Sequence, residues 1–323
     1  MCAIISQYFT TYGYDINPII FEKLKKGENP YPHEKNLDDL LKKVILWEGK
    51  SIEEITKKSN FIYIVTATPS KEDGRYDTEY IENALKEISK VMKDDDEYKI
   101  IIIVSTIMPG DCRKFIKLIE DESGKKCIKN FSLCYSPEFI VIGNIIQGTT
   151  NPDFVLIGES DENAGNNIEG IYNLIANKPI IKRMSLENAE LTKIALNSYM
   201  TLKMNFANTL AEICEKMPNG DVDKITDALG CDKRINPYYL KGGAAYGGPC
   251  FPRDNRAFYQ SALEYKTEAS FAKVTDNMNI HQLKRIEEKI MKLLEKGKTL
   301  SILGMTYKTD VNISEESLGE YLY

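Results

Sequence analysis

The chain has 323 residues, of which 42% are hydrophobic and 28% are charged, a composition typical of a soluble globular protein with two or three domains. Lys and Arg total 42 against 48 Asp and Glu, giving a net charge of -6 with the basic residues scattered, so no nucleic-acid partner is predicted. No apolar run reaches the ~20 residues that a membrane span needs, and the N-terminus lacks the features of a signal peptide, so we predict a cytoplasmic protein with no membrane contact.

Short apolar runs alternate with helical patterns through the first half of the chain. Alternating strands and helices of this kind predict an α/β fold with a Rossmann-type, doubly wound parallel sheet, here over residues 1–182. Such a sheet binds its ligands at the carboxyl ends of its strands. The runs interpreted as strands are residues 2–5, 11–16, 61–67, 99–105, 131–136 and 154–158.

The second half of the chain is predicted to be mostly helical. A stretch without Gly or Pro runs from Ser185, a predicted N-cap, to Met217, and its apolar residues reach around much of the helix. Helices are also predicted at 221–230, 255–265 and 269–296, followed by a strand at 299–305. We therefore expect a central helical domain over 183–285, and over 286–323 a linker helix with the start of a second α/β domain.

The seven cysteines form no CxxC pair, and their odd number argues against a disulfide framework or a structural zinc site. One of them, Cys250, lies in the segment GGAAYGGPCFPRD over residues 242–254. Glycines allow close approach of the backbone to a ligand, and Pro249 and Pro252 restrain the loop. Arg253 follows Cys250 three residues later, and a nearby cation stabilises a thiolate. The segment is therefore compatible either with an exposed, thiolate-like cysteine or with a glycine-rich turn around a buried cysteine.

Polar residues at three other places are candidates for chemistry. Lys193 and Asn197 are four residues apart on the long predicted helix, where they form either an oxyanion site or an ordinary surface pair. Glu138 in YSPEF and Thr106 in VSTIMPG each follow a predicted strand. The carboxylate is a candidate base and the hydroxyl a candidate cofactor contact, whereas a loop Glu and a helix N-cap are the structural alternatives.

Taken in order, the motifs resemble those of the UDP-glucose/UDP-N-acetylmannosamine dehydrogenase family. GGPCFPRD is very similar to the cysteine motif of that family. The other matching segments cover nearly the whole chain: GYDIN, ATPSKEDG, VSTIMPG, SPEF, AELTKIALNSY, DKRI and LGMTYK.

The resemblance implies an NAD-dependent, four-electron oxidation of the 6-hydroxyl of a UDP-sugar to the uronic acid, within polysaccharide biosynthesis. Cys250 is implied as the nucleophile that forms a thiohemiacetal and then a thioester. Lys193 and Asn197 are implied as the oxyanion site. Water and protons are then handled by three further residues: Asp254, Glu138 and Thr106.

Binding residues follow from the same resemblance. Asp15 is similar to the carboxylate that binds the adenosine ribose of NAD, and Thr68, like Thr106, is implied at the cofactor. The substrate contacts implied are Phe139, Tyr246, Gly247, Arg234 and Lys308, with Arg234 reaching the sugar bound to a partner subunit. A homodimer is predicted on helix 185–217, because its apolar residues cover more faces than one domain needs.

The chain departs from the pattern of the family at four places. Ile142 occupies the position of a second glutamate, SEES at 314–317 replaces an arginine after Lys308, and only the first strand of the C-terminal domain is expected. No G-x-G-x-x-G follows the first predicted strand. Because residues 6–10 are too few for a parallel crossover, we expect a segment to have been deleted or joined over near residue 5, and poor NAD binding as a result.

Two other functions are compatible with the sequence. A two-electron dehydrogenase of the 6-phosphogluconate or 3-hydroxyacid type also uses a helix Lys and Asn, but needs no cysteine. A non-catalytic remnant that binds nucleotide or dimerises is the other alternative, favoured by the absent glycine motif. Which UDP-sugar is used is not encoded in a recognisable pattern. The sequence does predict that Cys250 is the most thiolate-like of the seven cysteines, because of its glycines, Arg253 and Lys193.

Overall fold

Two units with different secondary structure make up the polypeptide. The computed structural model describes residues 1–139 and 142–323. The first unit comprises Met1–Pro69 and Tyr76–Leu191, and the second comprises Ser70–Arg75 and Thr192–Tyr323. The expected division into three domains stays a prediction.

All the strands of the described residues lie in the first unit. A two-stranded parallel sheet pairs β1 (Thr11–Gly13) with β2 (Leu46–Glu48). The main sheet has the order β3-β4-β5-β6-β7 and is parallel except for the antiparallel pair β5 and β6. Its strands are β3 (Phe61–Ile64), β4 (Lys99–Ile103), β5 (Phe131–Tyr135), β6 (Val155–Glu159) and β7 (Ile181–Ser185).

Strand β4 shows why this sequence forms a buried sheet. Its residues Lys99–Ile103 are all buried, and β-branched isoleucines favour the extended backbone. Successive side chains point to opposite faces, so Ile101 and Ile103 enter one hydrophobic cluster while Ile100 and Ile102 enter another. The sheet is therefore covered on both faces, as the mixed α/β prediction required.

The helices of the first unit cover these two faces. On one face, α5 and α6 supply Leu85 and Phe115, and on the other, α1 and α8 supply Ile4 and Ile168. Among its described residues, the helices that lie wholly within this unit are α1 (Cys2–Ile5), α2 (Ile19–Lys25), α3 (Leu37–Leu41), α4 (Ile52–Lys58), α5 (Glu79–Asp94), α6 (Asp111–Ser123), α7 (Ile145–Thr150) and α8 (Glu162–Ile175).

The predicted strand at 2–5 is wrong, because these residues form α1. Helical hydrogen bonds run across the point of the expected gap, from Ser6 N–H to Cys2 C=O at 2.9 Å and from Phe9 N–H to Ile5 C=O at 3.0 Å. The short apolar run is ambiguous between strand and helix, and burial of Ile4 against the main sheet selects the helix. No glycine-rich motif follows in the sequence around residue 5, so the expected deletion or joining over of a segment there stays a prediction.

The second unit contains helices and loops. Helix α9 (Leu186–Lys216) begins in the first unit and continues into the second, and Pro218 follows its end. The backbone N–H of Asn188 lies 3.4 Å from the hydroxyl of Ser185, three residues earlier, as expected for the predicted N-cap. The remaining helices are α10 (Val222–Gly230), α11 (Phe251–Glu264), α12 (Ser270–Leu293) and α13 (Leu318–Leu322).

The strand predicted at 299–305 is also wrong. These residues form no strand, and Leu303 is 96% exposed. A strand needs a hydrogen-bonded neighbour, and the described part of the second unit contains none. Sequence patterns also missed β2 and β7, which are short and only partly buried. Across residues 1–139 and 142–323, none of the helices combines the length and the apolarity that crossing a bilayer demands.

Candidate active site

Cys250 stands at the N-terminus of α11, where the glycine-rich loop ends. It is the N-cap residue of that helix, its side chain is exposed to solvent, and Pro252 lies in the first helical turn. Proline is favoured at this position because its missing N–H would have no helical partner there. The Cys250 C=O accepts the N–H of Asp254 at 2.9 Å, so helix geometry fixes the spacing between the thiol and this carboxylate. The loop therefore presents the cysteine, as one of the two sequence readings predicted.

Helix α9 supplies polar groups to the same region of the second unit. The side-chain amide of Asn197 donates to the Asp254 carboxylate at 2.6 Å. Lys193, one turn earlier on α9, is 9% exposed, and Asp254 is 2% exposed. Buried charged groups are normally paired, so these residues form a polar group inside the unit and the surface-pair alternative is wrong.

The pKa of the Cys250 thiol is raised above its ordinary value. The main cause is desolvation by the surrounding protein, and the Asp254 carboxylate adds to it. Lys193 and Arg253 act in the opposite direction but do not prevail. The two cations that the sequence suggested thus act on Cys250, but desolvation outweighs them, and its rank as the most thiolate-like of the seven cysteines stays a prediction.

The loop that leads to Cys250 is held by side-chain amides. Asn279 on α12 accepts the Tyr246 N–H at 2.9 Å and donates to the Tyr246 C=O at 2.8 Å. Asn208 on α9 accepts the Gly243 N–H at 2.8 Å, and Gln282 donates to the Gly243 C=O at 2.5 Å. None of these amides was predicted to have a role, because in the sequence they are ordinary polar residues of long helices.

A segment near the end of the chain packs on the same loop. We name residues 305–317 the covering segment. The Gly248 N–H donates to the Glu315 C=O at 2.9 Å. A Cβ on Gly247 would lie 2.1 Å from the Glu316 carbonyl oxygen, and one on Gly248 would lie 2.6 Å from the Tyr307 ring. These glycines are therefore required for close approach of two backbone segments.

The substrate residues proposed for the second unit differ in their surroundings. Tyr246 is 3% exposed and its ring packs edge-on against Phe251, so the protein itself covers that side chain. Arg234 is exposed and forms a fork with the Asp232 carboxylate, with its Nη2 2.6 Å from Oδ2. The Lys308 Nζ lies 6.0 Å from the centre of the Tyr307 ring. Gly247 is the point where the covering segment touches the loop.

In the first unit, hydroxyl groups join the carboxyl ends of β3 and β4. The Thr68 hydroxyl donates to the Thr106 C=O at 2.8 Å, and the Ser105 hydroxyl donates to the Thr66 C=O at 2.6 Å. Both sequence-predicted threonines thus lie at one edge of the sheet, where parallel α/β sheets bind ligands. Thr68 is 5% exposed and Thr106 is partly exposed.

Glu138 follows the end of β5 and is partly buried. Its Oε1 accepts a hydrogen bond from the Thr149 hydroxyl at 3.4 Å. Burial raises the pKa of Tyr172, and the nearby Glu138 carboxylate raises it further. Phe139 stacks at a tilt on Phe154, with ring centres 4.7 Å apart, so its ring belongs partly to the packing of the unit.

A buried carboxylate that the sequence analysis passed over lies at the start of α9. Glu190 is 0% exposed, and its two oxygens accept the N–H groups of Gly110 at 2.6 Å and Cys112 at 2.7 Å. Burial raises its pKa to about 7, although the hydrogen bonds from Gly110 and Cys112 lower it. The carboxylate caps α6 directly after the Thr106 loop. The only signal for Glu190 in the sequence is its position in the AELTK segment. The fold brings that segment next to the glycine-containing loop before α6.

The described residues match part of what NAD requires. Asp15 lies just beyond β1, and its Oδ1 accepts the N–H of Asn17 at 2.8 Å, so the carboxylate is fixed at a strand end where a ribose hydroxyl would bind. Thr68 and Thr106 follow the carboxyl ends of β3 and β4, the edge at which parallel α/β sheets bind ligands. A glycine-rich loop for the pyrophosphate is not among residues 1–323.

The first unit has a Rossmann-type α/β fold, and its last helix continues into a helical unit that carries the exposed Cys250. Residues 1–176 match the NAD binding domain, and residues 187–281 the central domain, of the UDP-glucose/GDP-mannose dehydrogenase family. The chain belongs to this family.

Individual relatives agree with this assignment. The chain is similar to UDP-glucose 6-dehydrogenase TuaD of Bacillus subtilis, with 31% identity over 304 residues that cover 92% of this chain and 64% of the relative. It is 29% identical to UDP-glucose 6-dehydrogenase YwqF of the same organism, covering 94% of this chain and 68% of the relative. A solved UDP-glucose dehydrogenase from Pyrobaculum islandicum superposes with a TM-score of 0.92 at 26% identity, over 99% of this chain and 74% of that one. The chain thus spans about two thirds of the length of these curated relatives.

Proposed function

We propose that the chain carries a nucleotide-sugar dehydrogenase chemistry: NAD-dependent oxidation of the 6-hydroxyl of a UDP-sugar to a carboxylate, through a thioester on Cys250. The observation that carries the proposal is the presentation of an exposed cysteine at the N-terminus of α11, four residues before a buried Asp254 that is bonded to Asn197. A cysteine used only for packing would be buried, as Cys112 and Cys134 are.

Two molecules of NAD, bound in succession, would each accept one of the two hydrides that leave carbon 6 of the sugar. Removal of the first hydride and the hydroxyl proton gives an aldehyde. Cys250 Sγ then loses its proton and bonds to the aldehyde carbon, forming a thiohemiacetal whose oxidation gives a thioester. Water cleaves the C–S bond and releases the acid and the thiol.

Residues of this chain have separate roles in these steps. Lys193 and Asn197 provide a cation and an amide donor for the oxyanion that forms at the former aldehyde carbon. Because desolvation raises the Cys250 pKa, the thiol must lose its proton as the substrate arrives, and Asp254 is the proposed acceptor. Thr106 and Glu138 are proposed to order water and move protons, and Asp15 and Thr68 to contact the cofactor. Phe139, Arg234, Tyr246, Gly247 and Lys308 remain proposed UDP-sugar contacts.

A turnover assay with a matched cysteine control tests the proposal. Purified protein is incubated with NAD and a panel of UDP-sugars, and NADH and the acid product are both quantified. We expect two NADH per acid formed, loss of acid formation in Cys250→Ala, and unchanged turnover in Cys231→Ala. Cys231 is also exposed, and it lies directly after α10, outside the glycine-rich loop.

Other outcomes identify the alternatives. Full acid formation by Cys250→Ala would favour two-electron chemistry of the 6-phosphogluconate or 3-hydroxyacid type. No NADH with any UDP-sugar, together with no calorimetric NAD binding, would favour a non-catalytic relative that has kept the fold. The panel also decides whether glucose or N-acetylmannosamine is the sugar used.

We also propose a homodimer through α9. Four apolar side chains on this helix and just past its end are between 46% and 57% exposed, namely Tyr199, Phe206, Ile213 and Met217. The first three are spaced seven residues apart, so they lie on one side of the helix. An exposed apolar stripe of this kind is typical of an interface.

Sedimentation tests the proposed homodimer. Phe206→Glu is expected to convert a dimer into a monomer, because a carboxylate would be desolvated at the interface. Tyr238→Glu is the control, since Tyr238 is 74% exposed but lies outside α9. A wild-type protein that sediments as a monomer at micromolar concentration would contradict the proposal.

A cytoplasmic location, where the seven free cysteines would stay reduced, is likewise proposed.

A further inference from the structure

The loop before Cys250 has no regular secondary structure, yet its backbone hydrogen bonds are made by side chains. Between Gly243 and Tyr246, two N–H and three C=O groups are bonded to three amides: Asn208, Asn279 and Gln282. These amides are 5%, 7% and 5% exposed. Buried backbone groups need partners, so the amides do here what a neighbouring strand does in a sheet.

The arrangement draws on two helices that approach the loop. Asn208 belongs to α9, which also carries Lys193 and Asn197, while Asn279 and Gln282 belong to α12. The amide of Asn279 bonds to both backbone groups of Tyr246, and Asn208 bonds to two successive residues, with a 3.3 Å contact to the Ala244 C=O. A glycine-rich segment gains much conformational entropy when released, so these bonds act against a strong tendency to disorder.

We propose that Asn208, Asn279 and Gln282 are positioning residues that hold the glycine-rich loop in the conformation that keeps Cys250 partly desolvated beside Lys193 and Asp254. This inference rests on the proposed function only for its catalytic consequence. Three residues lie between Tyr246 and Cys250, and the middle one, Gly248, donates its N–H to the Glu315 C=O. Release of Tyr246 therefore leaves the approach to the thiol weakly restrained.

Release of the loop is expected to change the pKa of the Cys250 thiol in a definite direction. Desolvation by the surrounding protein is the main cause of the raised pKa of Cys250. A released loop admits water, which stabilises the thiolate and lowers that pKa. Since the thiolate is the species that reacts with electrophiles, Cys250 will be alkylated faster at neutral pH when the loop is released.

Alkylation of the intact chain tests the proposal without requiring turnover. Iodoacetamide labelling of Cys250 is followed by mass spectrometry across the pH range, with exposed Cys231 as an internal reference. We expect Asn279→Leu to shift the pH profile of Cys250 to lower pH and to raise its neutral-pH rate by at least ~3-fold, with Cys231 unchanged. Gln282→Met is expected to do the same to a smaller extent.

Ser198→Ala is the matched control. It removes a buried hydrogen bond of 2.8 Å to Asn255 between α9 and α11, but touches no residue of the glycine-rich loop. We expect Cys250 in this variant to be alkylated at the wild-type rate, even if the variant loses as much stability as Asn279→Leu. Labelling is carried out at a temperature at which thermal melts show every variant to be folded. Equal Cys250 profiles in wild type, Asn279→Leu and Gln282→Met, or faster labelling in Ser198→Ala, would overturn the proposal.

Failure of the proposed function gives a different result. If Cys250 has no role in turnover, Cys250→Ala remains active while the labelling differences persist. If the amides do not position the loop, the labelling profiles coincide whether or not the chain turns over. In an active enzyme, Asn279→Leu is further expected to lower kcat while leaving KM for NAD unchanged, because the loop lies in the second unit.

Discussion

The two units hold their candidate site residues in place by different means. In the first unit, Thr68 and Thr106 are placed by the ends of paired strands, and two hydroxyl-to-carbonyl bonds join those ends. In the second unit, Cys250 follows a loop with no regular structure, held by buried amides and by close contact with the covering segment. A strand end needs little side-chain support, because its own hydrogen-bond ladder fixes it, whereas a loop needs support from elsewhere in the chain.

This difference predicts where substitutions are most damaging. Gly247→Ala places a methyl group 2.1 Å from the Glu316 carbonyl oxygen, and a backbone atom cannot move aside as a flexible side chain can. We expect the free energy of unfolding to fall by ~3 kcal/mol, or the covering segment to detach. Urea unfolding together with hydrogen exchange of residues 305–317 distinguishes the two results.

Gly243→Ala provides the control within the same loop. A Cβ at Gly243 meets nothing within 4 Å, and its φ is not in the left-handed region. We expect this variant to be as stable as the wild type or slightly more so, because alanine reduces the entropy of the unfolded chain. Equal losses in the two variants would mean that the loop is sensitive throughout, and that the covering segment is not what constrains it.

Sequence patterns foretold the first unit better than the second. The β-branched KIIII run of β4 predicts a buried strand, and the sequence shows the hydroxyl residues that follow it. The run at 2–5 was misread because four apolar residues fit a strand or a helix equally well, and packing on the sheet decided. The amides of Asn208 and Asn279 could not be predicted, since they are 71 residues apart and only the fold brings them to one loop.

Glu190 is an exception to the rule that the first unit is held by its backbone, and its pKa makes it testable. Burial raises the folded-state pKa from 4.5 to about 7, so between these values the folded protein keeps a proton that the unfolded chain has lost. The free energy of unfolding should therefore fall as pH rises through this window, by roughly 3 kcal/mol in total, and level off above it. Glu190→Gln should flatten the slope in urea unfolding measured at several pH values.

Glu187, on the same turn of α9, supplies a control of opposite sign. Its carboxylate pairs with Arg113 at 2.6 Å, and the hydrogen bond from that guanidinium lowers the pKa of Glu187. Its contribution to stability is present above the ordinary carboxyl pKa and is lost as pH falls. Glu187→Gln should leave the decrease between pH 4.5 and 7 intact. A slope that survives Glu190→Gln but disappears in Glu187→Gln would refute the assignment to Glu190.

A smaller effect is expected at the hydroxyl bonds of the strand ends. Thr68→Val removes the 2.8 Å bond to the Thr106 C=O and should cost about 1 kcal/mol of stability, the usual net contribution of one such bond. Thr68→Ser restores the hydroxyl and should recover most of the loss in chemical denaturation. If Thr68→Val were as damaging as Gly247→Ala, the two regions would depend on side chains to the same degree, and the contrast between them would fail.

The smallest effect should come from the ion pair that joins the covering segment to α11. Arg256 forms a fork with Glu316, both contacts being 2.9 Å, but each side chain is 40% exposed and the pair is screened by water and salt. Glu316→Gln is therefore expected to lower stability by no more than ~1 kcal/mol, with the difference shrinking at high salt. Arg256→Met should cost more, because Asp276, 3.5 Å from Arg256 and partly buried, would lose its cation as well. Unfolding of wild type, both variants and the double variant, at low and high salt, measures the coupling of the pair. If Glu316→Gln alone matched the loss in Gly247→Ala and resisted salt, charge rather than close backbone contact would hold the covering segment against the loop.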